Sequence, residues 1–276
     1  MKRIILLIAI GTIIFSCENK ADNDKTKHAK NIILMIGDGM GVTQLYAAIS
    51  VSDQPLNLEK FKNIGFHKTS SADNYITDSG AGGTAISTGH KTNNYYIAVD
   101  SSGKELKTIT EYVKEDGLAA GVVVTSNITH ATPASFVAHI DHRTKCENIA
   151  FDILNLGLDL FIGGGENFFI ERSDSLNLID SLKERGYQIL NNMDEISLID
   201  TGKLAGFTAF DHLPSIKEGR GDMLDSSLKT ALKLLNHNPN GFFLLVEGSQ
   251  IDWGGHDKDI DYVISEILDF DKAVGR

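Results

Sequence analysis

The chain has 276 residues, 42% of them hydrophobic and 23% charged. That composition excludes disordered and repeat classes and suffices for one large α/β domain with its own core. Its 26 basic against 37 acidic residues, a net charge of −11, argue against nucleic acid as a specific partner, because phosphate backbones attract basic faces. Such charge ordinarily serves solubility, and some carboxylates are free to bind cations.

At the N-terminus, Lys2 and Arg3 precede a short apolar run over residues 4–15, then Ser16-Cys17 and a polar stretch. This has the shape of an export signal and is too short for a stable membrane span. Ile14-Phe15-Ser16-Cys17 resembles a bacterial lipoprotein signal. The resemblance implies cleavage before Cys17, acylation of its sulfur, and a protein lipid-anchored to a membrane in the bacterial periplasm or at the outer membrane. Residues 17–30 then form a polar tether. The only other cysteine is Cys146, so an internal disulfide framework is not expected.

Residues 31–36 read as a buried strand, with a glycine-rich turn over 37–41 leading into a helix through Leu45, Ala48 and Ile49. A short strand is predicted near residues 64–67. Residues 79–87 are small and Gly/Ala-rich, suiting a helix start packed closely on its neighbours with N–H groups free for a ligand. Residues 108–115 read as a helix closed by Gly117. The β-branched run 121–125 reads as a parallel strand buried on both faces. A strand over 160–162, a helix over 176–185 and a short strand over 188–190 follow. The remaining elements are an amphipathic helix over 224–235, a buried strand over 242–246 and a helix over 262–273. This alternation predicts a doubly wound, mostly parallel sheet with helices on both faces, spanning residues 31–276. Ligands of such sheets bind beyond the carboxyl ends of the strands, where Asp38, residues 125–132 and residues 247–252 fall.

Four clusters at those ends carry candidate chemistry. Ser79, within Thr77-Asp78-Ser79-Gly80, is a candidate nucleophile that needs a base or a metal. It lacks a Gly-x-Ser-x-Gly elbow, and a helix N-cap is the competing reading. Asp38, in Gly37-Asp38-Gly39, suits a metal ligand or a plain turn. Glu247, Asp252 and His256 lie within ten residues of a strand end, the last two spaced to share a helix face. Thr132 offers an oxygen to a hard cation, His130 a nitrogen or an outer hydrogen bond, and Arg143 a bidentate guanidinium for phosphate. Asp211-His212 and Gly163-Gly164-Gly165 read as structural.

With these residues in hand, the chain resembles the alkaline phosphatase family over nearly all of residues 31–276. The resemblance rests on Gly37-Asp38-Gly39-Met40-Gly41, Thr77-Asp78-Ser79, His130-Ala131-Thr132-Pro133-Ala134, Arg143, and Val246-Glu247-Gly248 through Asp252 to His256. It implies a site with two zinc ions and one magnesium that hydrolyses small phosphate monoesters and releases inorganic phosphate. By the resemblance Ser79 becomes a phosphoserine, Asp38 bridges a zinc and the magnesium, and Arg143 clamps the phosphate. Thr132 and Glu247 then hold magnesium, and Asp252 and His256 hold the other zinc. His130, Trp253 and Asp78 surround these ligands. The family admits a homodimer.

His130 stands where the best-known bacterial member has aspartate and animal members have histidine. Trp253 stands where lysine or histidine is common. The family's later Asp-His pair and further histidine are not found before Arg276, so the sheet is expected to be incomplete at its C-terminal side with an exposed edge. A phosphodiesterase or sulfatase of the wider superfamily, and a non-catalytic lipoprotein that binds phosphate or metal, are the alternatives.

Overall fold

A computed structural model describes residues 29–276. The expected export signal, Cys17 and all of the tether before Ala29 lie outside the described residues. In chain order the elements are β1 (Asn31–Gly37), α1 (Val42–Val51), a 3-10 turn (Asn57–Lys60), α2 (Ser79–Thr88), α3 (Ile109–Glu115), β2 (Ala119–Asn127), α4 (Ala131–Val137) and α5 (Cys146–Leu156). They continue with β3 (Leu160–Gly164), α6 (Asn167–Ile170), α7 (Leu178–Glu184), β4 (Tyr187–Leu190), α8 (Met193–Ile196) and β5 (Lys203–Ala209). The last are α9 (Met223–Leu235), β6 (Phe242–Gly248), α10 (Gln250–Asp257) and α11 (Ile260–Val274).

The six strands form one sheet in the order β1-β6-β2-β3-β5-β4, and every pairing is parallel. Side chains alternate across each strand, so neighbours serve opposite faces. Val122, Val124, Phe243 and Leu245 pack with Phe136 of α4, Ile149 of α5 and Leu182 of α7. Val123, Phe242, Leu244 and Val246 pack with Ala48 of α1, Leu228 of α9 and Ile267 of α11. Two cores, one on each face, explain why β2 and β6 are apolar without alternation. The expected doubly wound architecture is therefore present.

Two features of the sheet depart from expectation, and the helices α5, α6 and α8 were not anticipated. Residues 61–70 form no strand; Ile64 and Phe66 are 81% and 93% exposed. Their alternating pattern has no neighbouring strand to pair with among the described residues. β5 was not expected at all. Among the described residues β1 is an outer strand that pairs with β6, and Ile32 and Ile33 are 41% and 45% exposed. Among the described residues no helix is long and apolar enough to cross a membrane.

A buried ionic knot ties α11 to the segment ahead of α9. Arg220 pairs with Glu266 and, at 3.0 Å, with Asp269, while Glu266 also accepts from the Ile216 amide at 2.9 Å. Burial raises the Asp269 pKa and Arg220 opposes that rise. Removing the cation strands two buried carboxylates, so Arg220→Ala is expected to cost about 3–5 kcal/mol. The shift of the urea midpoint at unchanged slope measures it; a loss under about 1 kcal/mol would show that the knot is not needed.

Candidate active site and cation cluster

The register of the sheet builds the site. Glu247 on β6 sits level with Ile36 of β1 and Val124 of β2. One residue beyond β1, the Asp38 amide donates to the Gly248 carbonyl at 3.2 Å, which brings Asp38 beside Glu247. Gly39 then takes φ +64°, and a Cβ there would lie 2.5 Å from Asp252 Oδ1. The Gly-Asp-Gly turn is thus needed twice, once for a left-handed turn and once to admit the Asp252 carboxylate.

Ser79 opens α2, and Asp78 is its N-cap, accepting from the Ala81 amide. The cap is Asp78 rather than Ser79, which leaves the Ser79 hydroxyl free to donate to Asp38 Oδ2 at 2.9 Å. The small residues of α2 have a packing cause. A Cβ at Gly83 would meet Ser135 Cβ of α4 at 2.9 Å, and one at Gly80 would lie 3.0 Å from the Tyr96 carbonyl. Arg143 reaches in beside Ser79. One guanidinium nitrogen donates to Asp78 Oδ2 at 2.9 Å and another faces His130 Nε2 at 3.2 Å. Asp38, Asp78, Ser79, His130 and Arg143 line a single cleft of about 680 Å³, together with Asp252, Trp253 and His256.

At the cleft floor, Asp38, His130 and Glu247 each offer a ligating atom, all within 4.8 Å of one another. His130, read from the sequence as offering either a nitrogen or an outer hydrogen bond, lies within this cluster. Burial, reinforced by the Asp252 carboxylate, pushes Asp38 up to about 6. Burial and the neighbouring Asp38 push Glu247 up to about 8. His130 goes down to about 3, chiefly through burial and then through Arg143, so its ring is neutral. Glu247 Oε2 accepts from Ser249 at 2.6 Å. Its Oε1, Thr132 Oγ1 and His130 Nδ1 are buried without a hydrogen-bond partner. Buried carboxylates crowded together beside unpartnered polar atoms are the donor set a divalent cation satisfies, and the residues fit such an ion.

The outer pair is placed differently. Asp252 and His256 lie one turn apart on α10, with Asp252 Oδ2 and His256 Nε2 at 3.3 Å, and the His256 side chain is 79% exposed. Sequence reasoning missed several residues at the site. His212, read as structural, packs edge-on against Trp253 with ring centroids 4.8 Å apart and against His130 at 6.0 Å. Asn127 holds it, its amide donating to His212 Nδ1 at 3.3 Å. The loop reaches this far because Gly164 lacks a side chain: a Cβ there would lie 2.0 Å from the Asp211 carbonyl. Gln250 braces α10, donating to Thr125 O at 2.7 Å and Leu213 O at 3.0 Å. An apolar strand flanked by His, Asn and Gln at its carboxyl end was the available clue.

The alkaline phosphatase family profile matches residues 29–276. Alkaline phosphatase 3 of Bacillus subtilis is 38% identical over 96% of this chain and 61% of its own length. Alkaline phosphatase of Escherichia coli is 30% identical over 92% of this chain and 67% of its own. Among solved structures, alkaline phosphatase from the Antarctic bacterium TAB5 superposes with a TM-score of 0.85 at 40% identity, covering 89% of this chain and 73% of that one. A variant of the TAB5 enzyme, at 40% identity and a TM-score of 0.84, has magnesium bound in its M3 site. The chain belongs to the alkaline phosphatase family. It spans about three-fifths of the length of the Bacillus relative.

Proposed function

We propose that this protein hydrolyses phosphate monoesters through a phosphoserine on Ser79, releasing an alcohol and inorganic phosphate. The observation that carries the reading is the Ser79 hydroxyl donating to Asp38 at 2.9 Å, with the Arg143 guanidinium held beside it by Asp78. Asp38, Thr132, Glu247 and the neighbouring His130 are the residues for magnesium. Asp252 and His256 are the residues for one zinc, and Asp38 also faces a second. Such cations, when bound, neutralise phosphate charge and ease deprotonation of the serine and of water.

The chain's own groups do the remainder. Arg143 takes two phosphoryl oxygens by paired hydrogen bonds and aligns phosphorus with Ser79. Asp38 holds the Ser79 hydroxyl by its proton and orients the oxygen for in-line attack. The Ser79 Oγ–P bond forms as the P–O bond to the leaving alcohol breaks; the proton released from the Ser79 hydroxyl passes to cleft water, and water returns one to the departing alkoxide. Water then attacks the phosphoserine, restoring the hydroxyl and freeing phosphate. Neutral His130 accepts from Arg143 and so keeps the guanidinium aimed into the cleft.

Equal concentrations of an aryl phosphate monoester, a phosphate diester and a sulfate ester, each supplied with zinc and magnesium, test the substrate class. Monoester turnover is expected to exceed the others by on the order of a hundredfold, because a second ester group removes one charge from the oxygens that Arg143 pairs. Faster cleavage of the diester or the sulfate would contradict the reading. Phosphate binding with no turnover of any ester would contradict it too.

A further inference from the structure

We propose that Tyr95 is a positioning residue that locks Arg143 and Asp78 into one rigid phosphate clamp. The proposal rests on the functional reading above for what the clamp holds. Its geometry is a closed ring of three residues. The Tyr95 amide donates to Asp78 Oδ1 at 3.1 Å, and the Arg143 amide donates to the Tyr95 carbonyl at 2.8 Å. The ring closes where the Arg143 guanidinium meets Asp78 Oδ2 at 2.9 Å. Tyr95 therefore contacts both partners of the ion pair through its backbone alone.

The backbone is unusual where this happens. Tyr95 takes φ +71°, a left-handed conformation that bulky side chains seldom adopt. An ordinary turn would place glycine or asparagine there. The tyrosine ring is half exposed and stacks on His142, centroids 5.2 Å apart and planes 7° from parallel. His142 immediately precedes Arg143, so the stack ties the strained turn to the arginine loop. Strain retained at a site is a pointer to function when surrounding contacts over-determine it, and here they do. Asn94 accepts from the Asp78 amide at 3.1 Å and donates to Ile76 O at 2.9 Å. Three residues on, Ala98 is also left-handed, at φ +42°, and its amide donates to Thr84 of α2 at 2.8 Å. The segment 93–98 is a strap between the nucleophile helix and the arginine loop. Fixing both before substrate arrives removes the ordering cost from phosphate binding.

Three variants test this. Tyr95→Val disfavours the left-handed turn, Tyr95→Gly permits it but loses the stack, and Tyr95→Phe keeps both. Two readouts apply to each. Amide hydrogen exchange is followed at positions 95 and 143. Inorganic phosphate binding, with zinc and magnesium present, is followed by emission of Trp253, the single tryptophan, which lines the same cleft. In Tyr95→Val both amides are expected to exchange at least about tenfold faster together, with β2 and β6 unaffected and phosphate affinity down about tenfold. Tyr95→Gly, which folds without strain, is expected to fall between this and the parent. Tyr95→Phe should match the parent in both readouts. Amides that open independently, or that open together while phosphate affinity is unchanged, would overturn the proposal. A parent protein that binds no phosphate would overturn the functional reading instead, and joint exchange of the two amides would still decide whether the ring exists.

Discussion

Ser79→Ala is expected to lower phosphate monoester turnover by on the order of a thousandfold or more while leaving phosphate binding nearly intact. In the proposed mechanism the Ser79 hydroxyl is the group that forms the bond to phosphorus. Its removal takes away the proposed covalent route, and among the described residues no second serine or threonine hydroxyl donates to Asp38. Arg143 keeps its bond to Asp78 in the variant, since that bond does not involve the serine side chain. A folding defect is not expected, because the helix cap is the Asp78 carboxylate rather than Ser79. The expected pattern is therefore a collapse of kcat with little change in phosphate inhibition. Equal loss of both would point to a structural role for Ser79, and a small loss of kcat would mean that water attacks phosphorus directly.

The second large effect comes from the crowded carboxylates. Asp38 and Glu247 have folded pKa values raised to about 6 and about 8, above the 3.8 and 4.5 of the free groups. Between those limits the folded chain holds protons that the unfolded chain has lost. His130, lowered to about 3, and His212, also lowered by burial, act in the opposite sense up to their free value of 6.5 and offset the carboxyl contributions there, so stability of the cation-free protein is expected to fall with pH chiefly from about 6.5 to about 8. A divalent cation needs the ionised forms, so its affinity rises through the same window, by up to about tenfold per pH unit for each proton displaced. Thermal unfolding with chelator and with zinc plus magnesium should give curves of opposite slope, the two diverging most near pH 8. Glu247→Gln should flatten the chelated curve above about pH 7, where Asp38, at about 6, is mostly ionised, and should remove most of the cation effect. Parallel curves in the parent protein would show that this cluster is not the cation site.

The sheet was largely legible because β2 and β6 bury both faces and so read as unbroken apolar runs. β5 escaped because Gly206 and Thr208 dilute its run; Gly206 is small since a Cβ there would lie 2.9 Å from Ile196 of α8. α10 was legible only through the four-residue spacing of Asp252 and His256. In the structure Gly254 lets α11 approach, a Cβ there falling 2.8 Å from the Val263 amide. The expected strand at 64–67 failed for the opposite reason: local alternation was present but no partner edge. At the site, Asp38, Ser79, Arg143 and Glu247 were visible because acidic, hydroxyl and basic groups followed apolar strands or small-residue runs. His212 and Tyr95 were not, because their contribution comes from a loop crossing to another strand end and from backbone groups that side-chain patterns do not reveal.

Acid-quenching the protein during turnover of a phosphate monoester, and mapping the phosphate by peptide mass, tests whether Ser79 Oγ attacks phosphorus. Phosphate is expected on the peptide containing Ser79, absent from Ser79→Ala and released when the pH is restored with zinc and magnesium. Phosphate on another residue, or turnover with no labelled peptide under conditions where product release is slow, would contradict it.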